Sequence, residues 1–368
     1  MFNKIIIYLK NFDWILFTAV FLLVCFGLIE IYSVALGKGE IDLLNLKKQF
    51  FFIIIGLVFL FLFSFLDYHV LRSYCKYIYL FGVLLLVGVL VFGEEIRGTQ
   101  GWFYIGSFGL QPVEFIKLIL ILFLARYFSE SSIKINPLKH LIIAGTGCFV
   151  FIVLVLLQPD FGSALILFLL WMSMVFIVGF NMKYLIVIVL ILSIIMSGSW
   201  VFLFKDYQKQ RVLTFLNPES NPLGQGYNIT QAIIAVGSGG VFGRGLGFGS
   251  QSQLKFLPEA QTDFIFAVIA EELGFLGGFL ALCFFAMFFY RCLKSLKKIN
   301  NDFGVFFILG AAGLIFIEMF INIGMNIGML PVVGISLPFV SYGGSAMLSS
   351  LIIVGIIESI IVRSKINY

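Results

Sequence analysis

Ionisable side chains occur inside the long apolar segments of this chain, where they are costly and therefore candidates for function. These residues are Glu30, Glu114, Lys117, Glu271, Glu272, Glu318 and Glu358. The most informative cluster is the run Gln111–Lys117, in which Pro112 suits the first turn of a helix. Glu114 and Lys117 are then one turn apart on one helical face and can pair. The pair either fixes helix packing or lets Lys117 meet an anionic substrate group while Glu114 orients it.

Two aspartates stand where an apolar segment meets a polar one. Asp160 lies in the break Gln158–Gly162, and Asp263 follows Gln261 at the end of a long polar segment. Neither of the two histidines lies in these segments, so a general base there must be a carboxylate or a perturbed lysine. Each aspartate also suits the N-cap of the helix that follows it, and both interpretations stay open.

The composition indicates a membrane protein and excludes several other classes. Of 368 residues, 61% are hydrophobic and 12% are charged, whereas a soluble domain carries about 25% charged residues. The net charge of +5 is dispersed along the chain, so nucleic acid is not an expected partner. The five cysteines lack CxxC spacing, and with only two histidines a zinc site is not expected.

Apolar runs long enough to cross a bilayer predict about ten transmembrane helices, because a helix needs about 20 apolar residues to span the hydrocarbon core. A barrel would show alternation instead. The predicted fold class is therefore an all-α polytopic membrane protein, a single domain over residues 1–368. The ten predicted spans are 14–36, 49–66, 77–93, 111–128, 140–158, 160–179, 184–203, 264–290, 303–328 and 341–362.

The distribution of Lys and Arg predicts the orientation of these spans. With the N-terminus inside, the inner segments hold 14 of these residues and the short outer loops hold 4. We therefore expect cytoplasmic N- and C-termini, a multi-pass protein of a bacterial cytoplasmic (inner) membrane, and contact with membrane lipid.

Residues 204–263 are predicted to form a long extracytoplasmic loop between the seventh and eighth spans, and loops of this length are usually functional. Within it, Tyr227–Val236 has helical spacing. Arg211 and Arg244 either contact phosphate oxygens of a substrate or are ordinary solvent-exposed arginines of the loop. Beyond the loop, Glu271 lies about two turns past Asp263, and we expect it to form a polar cavity floor or to pair with Lys117.

Six segments in the same order resemble the SEDS family (shape, elongation, division and sporulation) of polytopic proteins that polymerise peptidoglycan. The resemblance covers nearly the whole chain, and several long motifs in order are far more specific than any one of them. The segments are Gln111–Lys117, Gln158–Gly162, Pro258–Ala267, Glu271–Phe275, Asn322–Gly328 and Leu337–Ser345.

The resemblance implies a glycosyltransferase that acts on lipid II and on undecaprenyl-pyrophosphate-linked glycan with inversion. It implies Asp263 as the catalytic base, because the attacking sugar hydroxyl must lose a proton. Lys117, Arg211 or a divalent cation, Mg²⁺ or Mn²⁺, would stabilise the leaving pyrophosphate. Glu114, Asp160, Gln261 and Glu271 are the further substrate-binding candidates. The implied protein partner is a class B penicillin-binding transpeptidase.

Within the family, the chain looks more like the elongation branch, RodA, than the division branch, FtsW. The segments that carry this preference are Asp206–Val212, Asn217–Gly224 and Gly249–Leu254. One departure concerns position 261, where the family usually has His and this chain has Gln. Glutamine forms hydrogen bonds but does not titrate, so the departure argues against a proton-transfer role at that position.

Two other classes of function stay open from the residues alone. Ten spans with buried charges also suit a transporter or lipid flippase, although no inverted repeat is visible and the polar motifs concentrate on the outer half. The third class is a noncatalytic scaffold for a wall-synthesis partner. Polymerisation of lipid II, and its loss in an Asp263→Ala variant, would separate these classes.

Overall fold

The computed structural model describes residues 2–37, 43–96, 98–106, 108–131, 136–190, 193, 214 and 225–366. Long helices dominate these residues, so the chain is an all-α polytopic membrane protein. In chain order the helices are α1 Phe2–Asn11, α2 Trp14–Ala35, α3 Leu44–Phe65, α4 Tyr68–Phe92, α5 Pro112–Glu130, α6 Pro137–Leu156, α7 Phe161–Val178, α8 Gln225–Ser238, α9 Ser250–Gln253, α10 Ile265–Leu296, α11 Asp302–Asn326 and α12 Gly344–Ile366.

Eight of the described helices are long and apolar enough to cross a membrane: α2, α3, α4, α6, α7, α10, α11 and α12. Helix α5 corresponds to the fourth predicted span but carries Glu114, Lys117, Arg126 and Glu130, so it is less apolar than the others. Of the predicted span 184–203, residues 184–190 are helical, and most of the remainder lies outside the described residues.

The polar break that the sequence predicted between the fifth and sixth spans is confirmed. Helix α6 ends at Leu156, and α7 begins at Phe161. Between them, Gln158, Pro159 and Asp160 interrupt the helical hydrogen bonding, because proline lacks the backbone N–H that a continuous helix requires. This break brings Asp160 to one end of the helix bundle.

A small antiparallel sheet that the sequence analysis did not predict joins α4 to α5. Its strands are β1 Glu94–Ile96, β2 Thr99–Ile105 and β3 Phe108–Leu110, in the order β1-β2-β3. Trp102 of β2 pairs with Glu94, and Phe103 pairs with Leu110. The sheet lies at the same end of the bundle as Asp160, since Gly101 of β2 is next to the Gln158 side chain.

Helix α12 lies in the centre of the bundle and packs most closely against α3. All of its residues from Met347 to Val362 are buried. Small residues permit the close approach of the two helices: a side chain at Gly355 would lie 2.5 Å from the carbonyl oxygen of Leu60. Such contacts are typical of membrane helices, where van der Waals packing drives association.

Helix α10 is broken at Gly274, whose φ of 67° and ψ of −161° are not helical. The loop after α8 fills the break: Phe275 N donates to Gly240 O at 2.9 Å, and Gly245 N donates to Glu272 O at 2.9 Å. Gly243 has a φ of 78°, and a Cβ there would lie 2.1 Å from Glu272 O. The break therefore anchors the described part of the long predicted loop onto α10.

The short helix predicted within that loop at Tyr227–Val236 is confirmed as α8, Gln225–Ser238. Ala232 and Ala235 of α8 are fully buried against Phe264 and Val268 at the start of α10. Helix α8 thereby supports the segment in which Asp263 lies.

Candidate active site

A polar cavity of about 910 Å³ lies at the end of the bundle where α5, α7 and α10 meet the segment 332–346. Its lining includes Glu114 and Lys117 from α5, Asp160 before α7, and Asp263 before α10. The structure thus brings four of the predicted site residues together from three distant parts of the sequence. We refer to this space as the first cavity.

Lys117 forms the centre of a buried ion-pair cluster. Its Nζ lies 2.7 Å from Oε2 of Glu114 and 2.5 Å from Oε1 of Glu318. The side chain of Lys117 is only 5% exposed, so this ammonium group depends on the two carboxylates for its solvation. The pairing of Glu114 with Lys117 that the spacing predicted is confirmed, and Glu318 of α11 is an additional partner.

This cluster carries a formal charge of −1, because one ammonium group meets two carboxylates. Lys117 therefore presents little net positive charge to a ligand in the first cavity. Glu114 is the more accessible member of the pair, with a side chain that is 12% exposed.

Asp160 caps α7 and also lines the first cavity. Its Oδ1 accepts from Ser163 N at 3.0 Å, and its Oδ2 accepts from the Ser163 hydroxyl at 2.7 Å. The capping that the sequence predicted is confirmed. A half-buried carboxylate that is oriented by its own helix is suited to accept hydrogen bonds from ligand hydroxyl groups as well.

Asp263 does not cap the helix that follows it. The N-cap residue of α10 is Phe264, and no side chain there caps the helix. The capping interpretation of Asp263 is therefore wrong. The main chain of Asp263 is fixed instead by two buried asparagines of α11: Asn322 Nδ2 and Asn326 Nδ2 donate to Asp263 O at 3.0 Å and 2.9 Å.

The residues just before Asp263 are held by the loop that precedes α12. The Ser341 hydroxyl donates to Thr262 O at 2.6 Å, and Tyr342 N donates to Gln261 O at 2.8 Å. On the other side, Asn45 Nδ2 donates to Oε1 of Gln261 at 2.8 Å. Gln261 lines a neighbouring cavity and not the first one.

Glu271 lies elsewhere than the sequence analysis expected. It does not pair with Lys117 and does not line the first cavity. Fully buried in α10, it accepts from Gln251 N at 2.8 Å and from Ser252 N at 3.1 Å. Glu271 therefore anchors the loop 249–253. The expected pairing with Lys117 and the expected place in the floor of this cavity are wrong, while substrate binding by Glu271 stays a prediction.

Of the two predicted loop arginines, Arg211 lies outside the described residues, and Arg244 does not line the first cavity. Arg244 is exposed and bonds to the Ser250 hydroxyl at 2.8 Å. The charged side chains that line the first cavity in the described part of the chain are one basic and four acidic groups, namely Lys117, Glu114, Asp160, Glu259 and Asp263.

The same residues do not form a ready-made metal centre. In the described part of the chain, no three His, Cys, Asp or Glu side chains are grouped closely enough to hold a metal ion. The fit to a resident Mg²⁺ or Mn²⁺ ion is therefore poor.

Comparison with known proteins decides the family. The sequence profile of the FtsW, RodA and SpoVE family, described as cell cycle proteins, matches residues 13–366. The chain belongs to the SEDS family. The resemblance that the motifs indicated is thereby confirmed over almost the full length of the sequence.

Two SEDS relatives match most of this chain. The peptidoglycan glycosyltransferase MrdB of Escherichia coli K12 is 38% identical over 88% of this chain and 87% of its own length. Stage V sporulation protein E of Bacillus subtilis is 36% identical over 95% of this chain and 96% of its own length.

Solved SEDS structures share the fold. A chain from a peptidoglycan synthase complex, described as coordinating polymerization and crosslinking, superposes with a TM-score of 0.82 at 29% identity, covering 97% of this chain and 98% of that chain. The crystal structure of the rod shape determining protein RodA of Thermus thermophilus superposes with a TM-score of 0.72 at 27% identity, with the same coverage.

Several residues of the site were not assigned a role from the sequence. Asn322 and Asn326 lie one turn apart on α11 and within the family motif Asn322–Gly328, and this motif was the signal in the sequence that could have identified them. The sequence showed Glu318 as a charged residue inside a predicted span but did not indicate that it pairs with Lys117. Trp102 of β2 also lines the first cavity and its neighbour.

Proposed function

We propose that this chain is a peptidoglycan glycosyltransferase that joins lipid II units into glycan strands for cell elongation. The observation that carries the proposal is the position of Asp263. This carboxylate lines a polar cavity at the end of an apolar helix bundle, together with Glu114, Lys117 and Asp160. An acid at that position is accessible to a sugar whose lipid anchor stays in the bilayer.

Asp263 is the general base of the proposed reaction. The 4-hydroxyl of an N-acetylglucosamine unit attacks the anomeric carbon of the lipid-linked chain, and its proton passes to the Asp263 carboxylate. The new bond joins that oxygen to the anomeric carbon. The bond to the diphosphate oxygen breaks, and its electron pair leaves with undecaprenyl diphosphate.

Precise placement of the base supports this role. Asn322 and Asn326 hold the main chain of Asp263, and Ser341 holds that of Thr262. Each donor comes from a buried or largely buried residue, so the carboxylate is positioned before substrate binds. Preorganisation of this kind lowers the activation barrier, because the reacting groups need not be ordered during the reaction.

The acidic lining suits the neutral part of the substrate. Glu114 and Asp160 offer carboxylate oxygens to sugar hydroxyl and N-acetyl N–H groups. Lys117 acts through its ion pairs to hold Glu114 and Glu318 in place. We assign the first cavity to the acceptor sugar.

The location and partner of the protein follow from the same proposal. The excess of Lys and Arg in alternate segments supports cytoplasmic termini, which puts the first cavity at the outer face of the cytoplasmic membrane. Similarity to a chain of a peptidoglycan synthase complex supports a class B penicillin-binding transpeptidase as partner.

The test uses the full-length protein in lipid vesicles with labelled lipid II. Glycan polymer formed without any partner protein is the expected result. Translocation of lipid II across the vesicle membrane without polymer would instead identify a flippase. If neither process occurs until a separate polymerase is added, the chain is a scaffold and the proposal is wrong.

A further inference from the structure

A second cavity of about 680 Å³ lies directly beside the first and differs from it in charge. The two cavities share Trp102, Glu259, Thr262 and Tyr342 in their linings. The segment that carries Asp263 therefore forms a wall between them. The charged residues in the lining of the second cavity are Lys48, Lys255 and Glu259, of which only Glu259 also lines the first.

Lys255 is a cation that lines the second cavity and not the first. It is exposed and follows α9, and its φ of 60° lies in the left-handed region that non-glycine residues seldom adopt. Leu257 N donates to Gln251 O at 3.1 Å, and this bond closes the turn around Lys255. No ion pair occupies its ammonium group within the described part of the chain. The turn thus holds an available positive charge at the second cavity.

The rest of the second cavity suits a lipid-linked sugar. Trp102, Tyr104 and Phe108 of the small sheet present aromatic surfaces, which pack well against the C–H faces of sugar rings. Val34, Ala35 and Phe52 line the side formed by α2 and α3 and are apolar, as the first units of a lipid tail require.

The geometry of inversion determines which substrate belongs in each cavity. The attacking hydroxyl and the leaving diphosphate lie on opposite sides of the anomeric carbon, so the base and the cation that stabilises the diphosphate must also be on opposite sides. Asp263 lines the first cavity and not the second, and Lys255 lines the second and not the first. The lining of the first cavity has four carboxylates and one lysine, whereas that of the second has two lysines and one carboxylate, so the second lining is the more favourable one for an anion.

We propose that the second cavity binds the diphosphate of the lipid-linked glycan donor and that Lys255 stabilises this diphosphate as it leaves. The inference rests on the proposed glycosyltransferase activity and adds a donor site to it. In the reaction, the anomeric carbon sits at the shared wall beside Thr262. The electron pair of the broken bond passes to the diphosphate oxygen that faces Lys255.

The test changes the charge at position 255 after the protein has folded. A Lys255→Cys variant is prepared in a Cys283→Ser background, since Cys283 is the exposed cysteine. The purified protein is treated with 2-aminoethyl methanethiosulfonate, which restores a positive charge, or with the 2-sulfonatoethyl reagent, which adds a negative one. A Lys297→Cys variant at the other end of α10 and the treated background protein are the controls.

We expect kcat for lipid II polymerisation to fall about tenfold in the untreated variant, because one charge-assisted contact to the leaving diphosphate is lost. The aminoethyl reagent should return kcat to the background value, and the sulfonatoethyl reagent should lower it further. Equal kcat values after the two reagents would overturn the inference while leaving the glycosyltransferase proposal intact.

A binding measurement tests the donor site independently of the proposed glycosyltransferase activity. Undecaprenyl diphosphate is titrated into an Asp263→Asn protein, with tryptophan fluorescence as the signal, since Trp102 lines both cavities. Binding that depends on the sign of the charge at position 255 supports the donor site even if no polymer is ever formed. Phosphatidylglycerol vesicles that compete equally well would overturn it, because the site would then bind any anionic lipid.

Discussion

Lys117 and Asp263 line one cavity, although Lys117 lies in the second turn of α5 and Asp263 precedes α10. Their environments differ. Lys117 is buried and compensated by two carboxylates, whereas Asp263 is half-buried and its main chain is held by two asparagines. This difference supports the proposal that Lys117 is a structural cation and Asp263 the reactive acid. In that proposal, the positive charge for a leaving diphosphate comes from another residue.

The Lys117 cluster should contribute strongly to stability. Replacing Lys117 with Met leaves Glu114 and Glu318 buried without a counter-charge, and we expect a loss of about 3–5 kcal/mol. Thermal unfolding in detergent measures this loss. Because Glu318→Gln removes one of the two carboxylates, the double variant should be more stable than the sum of the single effects predicts. Strict additivity would show that the two residues do not interact.

We expect Asn322 and Asn326 of α11 to affect kcat for lipid II polymerisation and not the affinity for lipid II. Asn322→Ala or Asn326→Ala frees the main chain of Asp263, and a displacement of the base should lower kcat by about 10–100-fold with little change in KM. Steady-state polymerisation of lipid II measures both constants.

Asn301→Ala is the matched control for the asparagine variants, since Asn301 caps the opposite end of α11. It should cost about 1 kcal/mol of stability and leave kcat unchanged. If Asn301→Ala lowers kcat as much as Asn326→Ala, the effect is one of general stability and the positioning role is wrong.

The loop that packs into the break of α10 contains two glycines with the same φ but different surroundings. Gly243 and Gly247 both have a φ of 78°. A Cβ at Gly243 would lie 2.1 Å from Glu272 O, whereas a Cβ at Gly247 would have no atom within 4 Å. Gly247→Ala should cost about 1–2 kcal/mol. Gly243→Ala should cost clearly more and expose the loop 244–253 to hydrogen exchange. Equal losses of stability would contradict the close packing.

Hydropathy alone predicts most of the helices because the bilayer imposes one length on every span. The segments that became α2, α3, α6, α7 and α11 were found within a few residues of their observed bounds. The interruption at Gly274 was missed, since the residues on either side continue an unbroken apolar run and the cause is the packing of a loop from elsewhere in the chain.

The sequence identified the residues of the site more easily than their partners. A charge in an apolar segment is conspicuous, so Glu114, Lys117 and Glu318 were all noticed. The Lys117–Glu318 pair joins residues far apart in sequence, and no local pattern predicts such a contact. The roles of Asn322 and Asn326 were missed for the same reason, because their acceptor is a main-chain carbonyl group on another element.

The most direct test of the account is the rate of lipid II polymerisation by an Asp263→Asn variant. Asparagine keeps the size of the side chain but cannot accept the proton, so we expect kcat to fall by about 10²–10⁴-fold while the protein stays folded. Binding of lipid II should change little. A variant that polymerises lipid II at the rate of the unmodified chain would contradict the assignment of Asp263 as the base.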